Sequence, residues 1–223
     1  MNLNIIFEDN YVIICKKRKN MAVETAKIGE IDLVSQLRNY VKDKSGSSYI
    51  GVVHRLDQPV EGVMVFAKNP FAAAELSKQI SQNKMKKFYL SVLCGKMDNK
   101  EEKLVDYLLK NGKTNTSSVV NKETKDAKKS ELIYRVLNTI DNLSLAEIEL
   151  ITGRHHQIRV QMANAGFPLW GDVKYNQKFL NQRNVTPALC AYKLEFLHPK
   201  TKEKMIFKIE PEGDIFQIFN KYY

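Results

Sequence analysis

Between Gly51 and Lys68 the chain reads GVVHRLDQPVEGVMVFAK, and this stretch constrains the fold more tightly than any other. Val52-Val53 before it and Val63-Met64-Val65-Phe66 after it are short, apolar and β-branched or aromatic, and they are bounded by Gly51, Pro59 and Gly62. That pattern predicts two strands joined by a tight loop, with Asp57 at a strand end. Gln58, as the residue before a proline, is pushed toward extended backbone, and Gly62 has access to dihedrals that other residues avoid, so the loop can be held in one shape. In an extended segment His54 and Leu56 face one way while Arg55 and Asp57 face the other, so the guanidinium and the carboxylate share a face. Aspartate is also a common turn residue, so a plain turn cap with Arg55 as its surface partner is the competing reading.

The same strand grammar recurs along the chain. Ile5-Ile6-Phe7 and Tyr11 to Cys15 flank the polar turn Glu8-Asp9-Asn10, Glu131 to Leu137 and Leu143 to Ile151 flank Asp141-Asn142, and Ala188 to Phe196 and Lys204 to Ile209 flank His198-Pro199-Lys200-Thr201. From Lys87 to Leu93, Phe88, Leu90 and Val92 alternate with Lys87, Tyr89 and Ser91, which predicts a strand carrying Tyr89 on its less apolar face. Choice of that tyrosine for β-propensity alone is the plain alternative. Leu33, Val34, Leu37 and Val41 predict an amphipathic helix over Ile31 to Val41, and Asn69-Pro70 followed by Ala73, Leu76 and Ile80 predicts a second through about Lys84. Thr152 as N-cap and Gly166 as stop predict a third over roughly 153–165, with Arg154, His155 and His156 in its first turn, where a positive helix end would seat a carboxylate or phosphate. Gly95 to Ser130 is rich in Lys, Asn, Thr, Ser and Glu and predicts loops and short strands. Strands and a few helices without regular alternation argue for an α+β fold with a mixed, largely antiparallel sheet.

The 223 residues fit a single domain, 1–223, or a core with two lobes. No apolar run approaches the length needed to cross a bilayer, and the N-terminus MNLNIIFEDN lacks the form of a secretion signal, so a cytoplasmic location without membrane partners is expected. Cys15, Cys94 and Cys190 are odd in number and scattered, which suits reduced thiols. Four histidines without Cys-x-x-Cys or His-x-x-x-His spacing give no zinc signature, and no metal is expected. The net charge of +10, with basic clusters at Lys16 to Lys19, Lys84 to Lys87, Lys122 to Lys129 and Lys200 to Lys204, favours a polyanionic partner, although any one cluster can be a solvated face.

His54-Arg55-Leu56-Asp57 with Gly62 resembles the second motif of the pseudouridine synthases of the large-subunit ribosomal RNA type. Lys87-Phe88-Tyr89-Leu90-Ser91-Val92 resembles their strand with the active-site tyrosine, and Thr152 to Val160 followed by Gly166 to Asp172 resembles their arginine motif. The three matches come in family order and span nearly all the chain. The resemblance implies the pseudouridine synthase fold, a bent mixed sheet with a few flanking helices around a central catalytic cleft. It also implies isomerisation of uridine to pseudouridine in ribosomal or transfer RNA, with no cofactor. Asp57 would be the catalytic carboxylate, acting by covalent attack or by proton abstraction. Arg154 would pair with Asp57 and keep it ionised, and Tyr89 would stack near the base and help remove the C5 proton. His54, Arg55, His156, Gln157 and Arg159 would contact RNA, with Arg55 filling the gap left by a flipped uridine. The chain is expected to act as a monomer and to have no RNA-binding module ahead of this domain. Where relatives have Lys-Pro-x-Gly, it has Lys16 to Met21 without that proline and glycine. A non-catalytic RNA-binding or ribosome-assembly protein keeping the same fold is the alternative, but such a protein would have no need for a carboxylate facing a polyanion.

Overall fold

The computed structural model describes residues 3–25, 29–46, 48–98, 101–180 and 182–223. In chain order its first elements are β1 (Asn4–Glu8), β2 (Val12–Lys17), α1 (Leu33–Ser45), β3 (Gly51–Val52), β4 (Glu61–Ala67), α2 (Pro70–Ser81) and β5 (Lys86–Cys94). Then follow β6 (Glu101–Asn111), β7 (Thr116–Val120), β8 (Lys128–Ile140), β9 (Leu143–Leu150), α3 (Gln157–Asn164), β10 (Leu189–Leu197), β11 (Lys204–Lys208) and α4 (Asp214–Gln217). They sort into two compact units, one of residues 1–86 and 191–210, the other of residues 87–190 and 211–223.

In the first unit the strand order is β1-β2-β4-β10, with β11 against β10 and β3 against β4. Asp9 makes the first turn, its Oδ1 accepting the N–H groups of Tyr11 at 2.7 Å and Val12 at 2.8 Å. β2 and β4 run antiparallel with Lys17 opposite Gly62, so the end of one strand lies beside the start of the other. Val12, Ile14, Val63, Val65 and Ala67 form one core with Leu194 and Phe196, and α2 closes it with Ala72 and Leu76. Each large side chain buried there contributes about 1.5–3 kcal/mol. The Asn69-Pro70 start predicted for α2 holds, since Asn69 Oδ1 accepts the Ala72 N–H at 2.8 Å. α1 starts at the Asp32 cap and ends on Gly46 in the left-handed conformation, φ 73°.

In the second unit the order is β5-β9-β8-β6-β7, every pair antiparallel. The segment expected to be loops and short strands is instead a long ribbon. β6 is mostly exposed and needs few apolar residues, while β8 buries Leu132, Tyr134 and Val136 at alternate positions, and polar cross-strand pairs help to knit the two together. Glu102 lies opposite Tyr134 and accepts its hydroxyl proton at 2.7 Å, and Arg135 lies opposite Glu147 at 3.2 Å. α3 lies against β6 and β7. Among the described residues no helix is long and apolar enough to cross a membrane, and no cluster of three His, Cys, Asp or Glu side chains could hold a metal ion.

Candidate active site

The chain leaves β3 after Val52, and His54 takes up the hydrogen bonding that the strand drops. Its Nε2 accepts the Val65 N–H at 3.1 Å, so that nitrogen carries no proton and the imidazole serves as an anchor to β4. Leu56 is buried, Arg55 is exposed and Asp57 is half-buried, as the alternation in the sequence requires. The Asp57 carbonyl accepts the Val60 N–H at 3.0 Å and closes a turn over Gln58-Pro59.

Beneath this turn lies Lys17, 0 % exposed. Its Nζ donates to the carbonyls of Arg18 at 3.0 Å, Met21 at 2.7 Å and Gln58 at 3.0 Å, so each ammonium proton has an acceptor. Burial pushes its pKa down to about 8, while the negative charges of Asp57 and Glu61 act to raise it. In the Lys16 to Met21 loop Asn20 adopts φ 64°, a left-handed conformation that asparagine tolerates. Gln58 Nε2 donates to the Asn20 carbonyl at 3.3 Å, tying the two loops together. Sequence reasoning counted Lys17 in a basic cluster. The missed signal was its place at the end of a strand whose first four residues are apolar and buried.

The second unit carries the other expected residues, and several expectations are corrected there. Tyr89, opposite Ile148 of β9, is 5 % exposed, so it does not lie on an open polar face: β5 is covered along most of its length. The third helix begins at Gln157, later than expected, because His156 is left-handed at φ 53° and the helical ladder cannot extend back through it. Arg154 and His155 therefore belong to a turn, and Thr152 is no N-cap. Thr152 Oγ1 accepts the Glu131 N–H at 2.8 Å and donates to Gln157 Oε1 at 2.7 Å. Gln157 also accepts the Arg154 N–H at 2.9 Å and donates to the Glu131 carbonyl at 3.0 Å. It is 2 % exposed, and its amide ties the turn to β8.

Arg159 is buried in the same way. It is 2 % exposed, and its guanidinium grips Asp172 at both oxygens, 2.7 Å each, above the Tyr175 ring. His156 is buried as well. Tyr175 Oη accepts the Ser117 N–H at 2.7 Å and lies 2.8 Å from His156 Nδ1. Burial first, then the neighbouring positive charges, push the His156 pKa down to about 2, which keeps the ring neutral. Arg154 is exposed and donates through Nε to the Lys129 carbonyl at 3.1 Å. The turn around Asp57 thus gathers His54 and Arg55 in one unit, while Arg154, His156, Gln157 and Arg159 cluster at the start of α3 in the other.

A family model described as RNA pseudouridylate synthase matches residues 11–164, a span that holds Asp57, Tyr89 and Arg154. The chain belongs to the RNA pseudouridylate synthase family. Such an RNA pseudouridine synthase is an isomerase acting on RNA. An uncharacterised RNA pseudouridine synthase of Bacillus subtilis, YhcT, is 31% identical over 226 residues, covering 99% of this chain and 72% of that one. Ribosomal large subunit pseudouridine synthase C of Buchnera aphidicola subsp. Schizaphis graminum is 32% identical over 213 residues, covering 91% and 65%. Among solved structures, human RNA pseudouridylate synthase domain containing 4 superposes with a TM-score of 0.79 at 18% identity, covering 97% of this chain and 92% of that one. The pseudouridine synthase fold is therefore that of this chain, an α+β arrangement with a largely antiparallel sheet.

Proposed function

We propose that Asp57 is the carboxylate that drives uridine isomerisation in this synthase, and that its substrate is large-subunit ribosomal RNA. The observation that carries the first part is the Asp57 turn. The backbone that carries this carboxylate is held by the Val60 N–H donating to the Asp57 main-chain carbonyl, by the His54 anchor on β4 and by the buried Lys17 ammonium under Gln58. A nucleophile or base needs a fixed position, and these restraints hold the loop that carries it. The reaction breaks the bond from C1′ to N1 of uracil and forms one from C1′ to C5. N1 gains a proton and C5 loses one, so composition and oxidation level are unchanged. An ionised Asp57 can start it by attack at C1′ or by removal of a sugar proton.

Tyr89 is assigned to the base, near the proton that leaves C5. For Arg154 the exposed position favours a contact with RNA phosphate over the carboxylate pairing that the resemblance implies, because an exposed ion pair is worth little. Arg55, also exposed and next in line to the Asp57 turn, is assigned to the RNA around the flipped uridine. Ribosomal RNA as the substrate is supported by the names of the Buchnera relatives, and a ribosomal substrate implies an enzyme in the cytoplasm with the ribosome.

The test uses a large-subunit ribosomal RNA transcript carrying tritium at C5 of uridine, since each turnover releases that hydrogen to water. Asp57→Asn is expected to lower release by at least roughly 10²-fold while the thermal midpoint and RNA affinity stay near wild type. Tritium release by the variant at near wild-type rate sinks the assignment.

A further inference from the structure

A cavity of about 310 Å³ opens on the second unit, lined by Leu108, Leu109, Lys110, Ser117, Asp126, Lys128, Gly153, Arg154 and His155. That volume is at the lower end of the range for ligand clefts, about 300–1,000 Å³. Strand register explains how the lining comes together. Leu108 and Lys110 are two apart on β6, Lys128 of β8 lies opposite Leu108, and Ser117 of β7 lies opposite Lys110. Directly opposed residues and residues two apart share a face, so these side chains stand together on one side of the ribbon.

The turn from Gly153 to His155 closes that side. His155 Nδ1 lies 2.9 Å from Ser117 Oγ, the Ser117 hydroxyl donates to the His155 carbonyl at 3.0 Å, and Arg154 Nε is fixed on the Lys129 carbonyl. Asn115, left-handed at φ 49°, lies 3.0 Å from His155 Nε2, and its carbonyl accepts from Lys174 Nζ at 2.6 Å. The wall is thus preformed.

Its chemistry has two parts. Lys110, Lys128 and Arg154 put three cations around the opening, which suits a phosphate. Leu108 forms an apolar floor beside an imidazole, which suits a base edge or ring that has left its stack. Asp126 would repel a bare phosphate, but it can accept from a ribose hydroxyl or a base N–H group.

We propose that this cleft binds one unpaired nucleotide of the substrate RNA, apart from the target uridine. The phosphate rests on Lys110, Lys128 and Arg154, and the base lies over Leu108 beside His155. The proposal rests on the reading of this chain as an enzyme acting on RNA and adds a position at which that RNA must be single-stranded. A duplex cannot present an unstacked base together with its phosphate.

Fluorescein-labelled oligouridine and a blunt RNA duplex of the same length serve as probes, and the fluorescence anisotropy of each is followed with the full chain over a range of salt. For oligouridine, Lys110→Ala with Lys128→Ala is expected to lower the slope of log affinity against log salt by up to about 0.7, the share of the one phosphate that these lysines help to neutralise on a single strand. Lys110→Arg with Lys128→Arg is expected to restore it, and on the duplex the slope should change by less than half as much. An unchanged slope at an unchanged thermal midpoint overturns the cleft as a phosphate site, and an equal change on the duplex overturns the unpaired nucleotide. Failure of the wider reading looks different: wild-type protein would show no salt-dependent RNA binding, or Asp57→Asn would keep its turnover.

Discussion

A histidine fixed as neutral in a folded protein makes that protein sensitive to acid, and His156 is such a residue. Its Nδ1 lies 2.8 Å from the Tyr175 hydroxyl, its ring stacks on His155 with centroids 3.8 Å apart, and its pKa is pushed from 6.5 to about 2. Below pH 6.5 the unfolded chain takes up a proton that the folded chain refuses until about pH 2, so stability is lost as pH falls through this window. The loss is expected to reach up to about 1 kcal/mol per pH unit once solvent screening is allowed for. His156→Asn keeps a residue that tolerates the left-handed backbone and removes the titration. Urea midpoints at about pH 7 and pH 5.5 should therefore diverge for wild type and move much less for the variant. A wild-type midpoint that is flat between the two would refute this. Lys17 is the opposite case, a buried charge kept because three carbonyls and two carboxylates surround it. Removing its ammonium would leave the turn under Asp57 with unsatisfied acceptors, at a cost of about 1–3 kcal/mol for each.

Elements were legible in the sequence where local signals and burial agreed. β2, β4 and α2 bury mainly apolar residues, and α2 carries its Asn69-Pro70 start in the sequence itself. β6 was read as too short because its exposed length is held by the backbone ladder and by opposed polar pairs, which leave little hydrophobic period, while β8 runs past the expected 131–137 at both ends. The start of α3 was misplaced because a left-handed His156 and the Gln157 side chain, not Thr152, set it. α4 was missed, being too short to show a period. In the candidate site, the His54 to Gly62 motif was legible as a unit, whereas the Lys17 clamp depends on pairing between distant strands. Gly62 gives that motif an element-scale test. With φ 158°, a Cβ added there would lie 2.4 Å from Ala191 Cβ and 2.9 Å from Ala191 N and Cα, so β4 and β10 could not keep their spacing. Gly62→Ala is expected to destabilise by about 1–3 kcal/mol in urea unfolding. Adding Ala191→Gly should recover only part of the loss, because the backbone contacts remain. Wild-type stability for Gly62→Ala alone would mean that the strands can separate freely.

For the whole molecule, the net charge of +10 says less than where that charge is free to act. Glu8 holds Lys44 and Lys68, Glu131 holds Lys103 and Lys129, Glu195 holds Lys193 and Lys204, and Glu75 holds Lys202. Lys17 is spent inside the fold, and burial lowers the pKa of Lys87. The basic cluster from Lys200 to Lys204 is thus largely answered by carboxylates of the same unit, whereas Lys110 and Lys128 line a cleft beside Arg154. Counterions are released only by cations that reach phosphates, so these two groups should contribute unequally to RNA binding although they look alike in the sequence. Wild-type affinity for a ribosomal RNA transcript is expected to fall at least about 10³-fold between 50 and 200 mM salt. Lys202→Ala with Lys204→Ala should leave that dependence nearly unchanged, because those lysines already face glutamates. A slope lowered as much by this pair as by Lys110→Ala with Lys128→Ala would mean that RNA reads the net charge of the molecule and not its arrangement.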